Sequence, residues 1–260
     1  MTKKRILMTG CGSGFGLPLY RRFQSQGHSV YGIGLNGPDM QVNFANIKTS
    51  NLKEWVEQTL CEVSHAMQWS HVDVLINNAG MAHCDWVEDY DLDTWDDILK
   101  VNLTTPFALT QGVLRYNYVL DGFEPQENSL ELFEKTQIIN TSSMGATIGL
   151  RGSPAYCASK AGLEALTKTL AKEFAGRYPI TVVAVAPGGI DGTAMQAKVE
   201  QDLCRMRGMT SEQAAAYNRQ SPLGRNMDHD ELWAIYEFLV NEAPDYLTGT
   251  VIKCTGGMGV

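Results

Sequence analysis

Residues 5–16 read Arg-Ile-Leu-Met-Thr-Gly-Cys-Gly-Ser-Gly-Phe-Gly: an apolar run that ends at Thr9, followed by glycine at every second position. The run 5–9 has the composition of a buried strand, and residues 16–26 place apolar side chains at helical spacing. Glycines between such elements let the chain turn tightly, bring backbone close to a ligand and aim a helix N-terminus at negative charge. Turns also use glycine for conformation alone. Its place between an N-terminal strand and an amphipathic helix makes this loop a candidate pyrophosphate cradle, with Thr9, Gly10, Gly12, Ser13, Gly14, Phe15 and Gly16 as contacts.

Working outward, further strand-like runs lie at 29–33, 40–44, 72–76, 137–141, 180–185 and 249–253, and helical patterns at 51–68, 94–118, 155–176 and 229–240. Alternation of this kind, with continuous apolar strands, predicts an α/β fold: a single doubly wound Rossmann-type domain over 1–260 with a parallel seven-stranded sheet. Gly37 and Pro38 fall in a gap between the second and third strands that is too short for an ordinary crossover helix, so that helix is missing or very short. The acidic segment 119–136 lacks apolar periodicity and is expected to be a surface insertion.

The bulk properties exclude several classes. A net charge of −8 disfavours nucleic acid and anionic membrane surfaces. No apolar run is long enough to span a bilayer, and the start MTKKRILMTG lacks a secretory signal, so a cytoplasmic location is expected. The six cysteines are scattered without a CxxC pair and the histidines without an HxxxH pair, which points to free thiols and no metal.

Tyr156 and Lys160 are four residues apart, on one face of the helix at 155–176. A nearby ammonium favours the phenolate and moves a tyrosine toward use as an acid/base. The spacing alone also fits an ordinary amphipathic edge. Its companions decide: Ser143 just past the fifth strand, Asn77-Asn78-Ala79-Gly80 past the fourth, Asn102 in a helix, and Pro187-Gly188-Gly189-Ile190 past the sixth. All fall at the carboxyl edge of the sheet, where doubly wound folds bind ligands.

With these elements in this order, the chain resembles the compact short-chain dehydrogenase/reductases from about Lys4 to Gly257. The resemblance implies an NAD(P)-dependent oxidoreductase that moves a hydride between nicotinamide and a carbonyl or secondary alcohol. Tyr156 would give or take the proton and Lys160 would lower its pKa and hold the nicotinamide ribose. Ser143 would bond the reacting oxygen, and Asn102 would support a water-linked relay. Ser142 is the competing serine, expected to face the other way. A catalytically silent dinucleotide sensor or scaffold is the alternative. It would need only the cofactor loop, so the full set Asn102, Ser143, Tyr156 and Lys160 argues against it.

Departures from the family pattern concern the cofactor. An acidic residue usual in NAD-preferring members is replaced by Gly34, followed by Leu35 and Asn36, which favours NADP over NAD, although Ser13 brings no cation. Asn43 and Phe44 stand at the adenine, Asn78, Ala79 and Gly80 line the crevice, and Pro187, Gly188 and Ile190 precede Thr193, which reaches the nicotinamide amide if the loop bulges. Segment 191–222 is the expected substrate lid, where Met195, Met206, Met209 and Tyr217 serve either the pocket or lid packing. The expected partners are a small carbonyl or alcohol substrate and further copies of the chain, a tetramer before a dimer.

Overall fold

The computed structural model describes residues 2–119, 130, 133–218 and 221–259. Its seven strands are β1 (Arg5–Thr9), β2 (Ser29–Gly34), β3 (Met40–Gln41), β4 (Val74–Asn77), β5 (Thr136–Thr141), β6 (Ile180–Pro187) and β7 (Val251–Cys254). They form one sheet in the order β3-β2-β1-β4-β5-β6-β7, every pair parallel. Around it lie α1 (Gly16–Ser25), α2 (Leu52–Met67), α3 (Leu92–Leu99), α4 (Thr105–Leu114), α5 (Gly145–Ile148), α6 (Pro154–Phe174), α7 (Ala194–Arg207), α8 (Ser211–Asn218) and α9 (His229–Asn241).

Alternation along β1 explains the two-sided core. Leu7 faces a cluster built with α2, α4 and α6, including Val56, Leu109 and Leu170. Ile6 and Met8 face the opposite cluster, where Phe23 of α1 meets Tyr236 and Leu239 of α9. Both faces are covered, so the strand carries no polar alternation. The switch in strand order falls between β1 and β4, with their carboxyl ends opening side by side.

Two elements, β3 and the helix at 94–118, differ from the sequence expectation, and the helix-free link between β2 and β3 is as expected. Strand β3 is only two residues long, because Asn43 accepts a hydrogen bond from Ala45 N–H and opens a 3-10 turn at Phe44–Asn46. No helix links β2 to β3. The chain turns at Gly37, whose N–H bonds to the Gly34 carbonyl, and a β-carbon there would meet Met40 O at 2.1 Å. The expected helix 94–118 is broken: α3 passes through π segment Lys100–Thr104 into α4, which itself ends in π segment Arg115–Val119. Pro106 has no N–H for the carbonyl four residues back, at Asn102, so the helix widens around Asn102. The expected lid contains two helices, α7 and α8, the first capped by Thr193.

Most of the insertion expected at 119–136 lies outside the described residues. Its flanks are tied to the amino edge of the sheet. Asn117 accepts from Val72 N–H and donates to Val72 O and Thr136 Oγ1, and His71 Nε2 lies 3.1 Å from that hydroxyl. Burial pushes the His71 imidazole below its ordinary value of 6.5, against the pull of Glu134. Burial does the same at His28, whose Nδ1 accepts from Lys4 N–H. Both rings resist protonation in the folded chain and take a proton readily when unfolded. Stability carried by the neutral rings is therefore complete above 6.5 and declines as the pH falls below it. Thermal midpoints measured from about pH 7 down to about pH 5 should fall steadily, and a flat profile would contradict this.

Candidate active site

At the crevice between β1 and β4, Thr9 Oγ1 accepts hydrogen bonds from Asn78 N–H at 3.1 Å and Ala79 N–H at 3.0 Å. Asn78 Nδ2 reaches across to Gly10 O at 3.1 Å. The glycine loop then passes so close to this junction that a β-carbon on Gly16 would sit 2.0 Å from Gly10 O, and one on Gly12 2.4 Å from the Asn36 carbonyl. Gly14, at φ +54°, would meet nothing nearer than Thr193 at 3.9 Å and leaves the loop open toward the crevice. No side chain caps α1 and no acid occupies its first turn, so the positive end of the helix faces that opening uncompensated. These residues fit the pyrophosphate of a dinucleotide.

The catalytic candidates converge at the same edge. Lys160 is buried, and its ammonium donates to Thr141 O at 2.7 Å and lies 5.8 Å from the Tyr156 ring centroid. Ser143 Oγ accepts from Gly145 N–H at 3.1 Å, and the Ser143 side chain lies beside Tyr156, whose pKa it lowers. Ser142 turns away, donating to Glu164 Oε1 at 2.8 Å. Asn102 is fully buried: it accepts from Met81 N–H and donates to Met81 O and to Ser159 Oγ, which in turn donates to the Tyr156 carbonyl. The widened helix at Asn102 is thus bolted to both the loop after β4 and the Tyr156 turn. Thr141, Ser159 and Met81 were not marked from the sequence. Ser159 was legible inside the Tyr156–Lys160 motif, whereas the other two act through backbone.

Burial dominates the electrostatics here. It pushes the Tyr156 phenol up from its ordinary value, with the Ser143 hydrogen bond opposing, and it pushes Lys160 down to about 8. The expected lowering of Tyr156 by Lys160 does not appear: burial holds the proton on the phenol, and only Ser143 opposes it.

The outlying positions sort by backbone and side chain. Phe15 packs its ring 6.3 Å from Tyr236, and Phe44 is buried edge-on to Trp55, so either would meet a cofactor through backbone. Gly34 is buried, Leu35 is exposed, and Asn36 lies against Gly12. Asn43 is exposed, its side chain engaged by Ala45. Gly80 faces Lys160, Asn102 and Met195. Pro187 O accepts from Met144 N–H, Gly188 N–H donates to Cys254 O, and Ile190 bridges to Met227. Gly192 turns at φ +75°, and Thr193 lies against Gly14 with its hydroxyl capping α7. Ser13 is exposed on the loop. In the lid, Met206 packs on Gly152, and Tyr217 stacks under Arg207.

Away from this edge, His71, Asp73 and Glu134 bring donor atoms within 4.8 Å of one another, a grouping hidden by their sequence separation. Arg5 donates to both carboxylates, so a cation would have to displace an arginine already held there.

A family model described as short chain dehydrogenase matches residues 4–203. The 3-oxoacyl-[acyl-carrier-protein] reductase FabG of Vibrio cholerae is 30% identical, over 98% of this chain and 97% of its own. The same enzyme of Aquifex aeolicus is 31% identical with the same coverage. Among solved structures, an actinorhodin polyketide ketoreductase with NADPH superposes with a TM-score of 0.80 at 25% identity, covering 99% of this chain and 97% of that one. An NAD+-bound xylitol dehydrogenase gives 0.80 and 25% over 98% of each. With a glycine cradle, a buried lysine beside a tyrosine, and matches along nearly its whole length, the chain belongs to the short-chain dehydrogenase family and is an NAD(P)-dependent oxidoreductase of C=O and CH–OH groups.

Proposed function

We propose that the protein reduces small, carrier-free ketones to secondary alcohols with NADPH, using Tyr156 as the proton donor. The observation that carries this reading is the convergence of Tyr156, Ser143 and Lys160 beside the glycine cradle. When bound, the cofactor supplies the hydride. Ser143 orients the carbonyl oxygen through its hydroxyl, and Tyr156 passes its proton to that oxygen as negative charge develops there. The Lys160 ammonium at the ring stabilises the phenolate left behind and, with Asn102 and Ser159, keeps the tyrosine turn fixed. The phenol present at neutral pH is the acid that reduction needs.

Substrate class follows from charge. From the loop after β4 into α3, Asp85, Glu88, Asp89, Asp91, Asp93, Asp96 and Asp97 fall in thirteen residues without a lysine or arginine. Acidic carrier proteins dock on basic surfaces, and this apron repels them. The FabG relatives' carrier-bound substrates are therefore set aside in favour of free compounds. For the cofactor, Gly34 offers no carboxylate to a ribose and no repulsion to a 2′-phosphate, and the ketoreductase structure carries NADPH while the xylitol dehydrogenase carries NAD+. All six cysteines are free, which suits a reducing cytoplasm. Among the described residues no helix is long and apolar enough to cross a membrane.

Consumption of NADPH against a panel of free ketones, with a carrier-bound 3-oxoacyl thioester beside them, tests the reading. Turnover of the thioester above every free ketone would refute the substrate class. Tyr156→Phe should leave NADPH binding nearly intact and cut turnover roughly 10²–10⁴-fold, whereas Lys160→Ala should damage both turnover and cofactor affinity.

A β-carbon on Gly34 would meet Cys11 N and Gly10 at 3.6 Å, an ordinary contact, so Gly34→Asp should fold. It should raise the NAD/NADP affinity ratio by at least about tenfold in fluorescence titrations, because the new carboxylate accepts ribose hydroxyls and repels the 2′-phosphate. An unmoved ratio would remove Gly34 from the adenosine site. The family resemblance implies that helices 94–118 and 155–176 pair copies, and Phe107 in the first of them is exposed. Light scattering at micromolar concentration should give a homo-oligomer, tetramer before dimer, and a monomeric mass would overturn this.

A further inference from the structure

Helix α7 crosses the mouth of the site and touches the rest of the molecule at both ends. At its start, Thr193 lies against Gly14 and Met195 against Gly80, next to Lys160. Near its end the contact is ionic and buried. Asp202 is 4% exposed and accepts hydrogen bonds from Cys84 N–H at 3.1 Å and Lys198 Nζ at 3.0 Å. His83 Nδ1 lies 3.3 Å from the same carboxylate and Arg205 3.7 Å. Arg205 also donates to Cys84 O at 2.8 Å and to Asp85 at 3.0 Å, and the Trp86 indole N–H donates to Met206 O at 3.1 Å.

The loop 83–86 on which α7 is seated leads directly to the catalytic tyrosine. Asp85 N–H donates to Gly152 O at 2.9 Å, and Cys84 Sγ lies 3.0 Å from Ser153 Oγ. The Ser153 carbonyl accepts from Cys157 N–H, next to Tyr156 in the first turn of α6. A buried carboxylate is a costly way to seat a helix unless its partners are placed for it, because desolvation penalises any unpaired charge. Here burial works to raise the Asp202 carboxyl, but Lys198, Cys84 N–H and His83 outweigh it and hold it below the usual carboxylate range. Unlike apolar packing, such a seat has one geometry.

We propose that Asp202 is a positioning residue that latches α7 over the substrate side of the active site by seating it on the loop 83–86. The proposal rests on the assignment of Tyr156 above. It separates the two ends of the lid: substrate capture depends on the latch, whereas the cofactor loop is met by the far end of α7, at Thr193.

The test compares wild type, Asp202→Ala and Asp202→Asn in three measurements on the full-length protein. Trypsin cleavage at Lys198, Arg205 and Arg207, read by mass spectrometry, should accelerate at least about tenfold in Asp202→Ala. KM for the best free ketone should rise about tenfold while kcat changes by less than about threefold, and NADPH titration should give a nearly unchanged Kd. Asp202→Asn keeps an acceptor for Cys84 N–H but loses the ion pairs, and should fall between the two. A purely structural role would lower the melting temperature and leave cleavage, KM and kcat of the folded protein as in wild type, and that result overturns the latch. So does an equal fall in kcat and cofactor affinity. If Asp202→Ala does not fold, Asp202→Asn carries the comparison, and unchanged cleavage there is equally fatal. A wild type that reduces no ketone defeats the Tyr156 assignment instead, and the cleavage comparison still decides the latch.

Discussion

Where β1 and β4 part, two backbone N–H groups, those of Asn78 and Ala79, turn away from the sheet ladder, and the Thr9 hydroxyl takes both. Buried backbone donors must find acceptors, and this one oxygen fixes how far apart the two strand ends stand. Everything on the cofactor side is measured from that gap. Gly16 has to be glycine because Gly10 O would lie 2.0 Å from any β-carbon there, and the same closeness aims α1 into the crevice. The loop past Ala79 then delivers Gly80 and Met81 to Lys160 and Asn102. A single hydroxyl thereby sets the register between the glycine cradle and the proposed proton donor.

The second constraint is dryness. Lys160 is taken out of water and given one carbonyl, that of Thr141, as its protein partner, which lowers its affinity for a proton without removing its charge at neutral pH. Beside it the half-buried Tyr156 keeps its proton more firmly than a tyrosine in water does. Charge that develops on a substrate oxygen beside these groups is felt strongly, because little solvent competes for it.

Much of this was legible in the sequence because a doubly wound sheet gathers the ends of its strands. Motifs at Thr9, Asn78, Ser143 and Pro187 are far apart in the chain yet share one edge once the strands are parallel, and period and glycine placement reveal the strands. Alternation of extended chain sends Ser142 and Ser143 to opposite sides, and the family resemblance selects Ser143. What stayed hidden depended on contacts across the fold. Asp202 looks like any acid on a polar helix until Cys84, 118 residues earlier, is folded beneath it. The grouping of His71, Asp73 and Glu134 around Arg5 is of the same kind. Phe15 and Phe44 fall within the cofactor motifs but send their rings into the core, a choice that packing makes. The break at Asn102 has a local cause in the sequence: Pro106 stands four residues on, and its effect on the helix follows from its ring.

The two-residue strand β3 has a consequence for how the molecule meets its neighbours. A sheet ends in unpaired N–H and C=O groups, and a long, flat border of them is a template on which another chain can add a strand. Here one border is Met40–Gln41 and the other Val251–Cys254, two and four residues long. Neither offers enough consecutive groups to seat a foreign strand of ordinary length. Copies of the protein are thereby denied growth by sheet extension, the route to fibrils. What they present to one another instead is helix faces, whose backbone is already satisfied and where only complementary side chains bind.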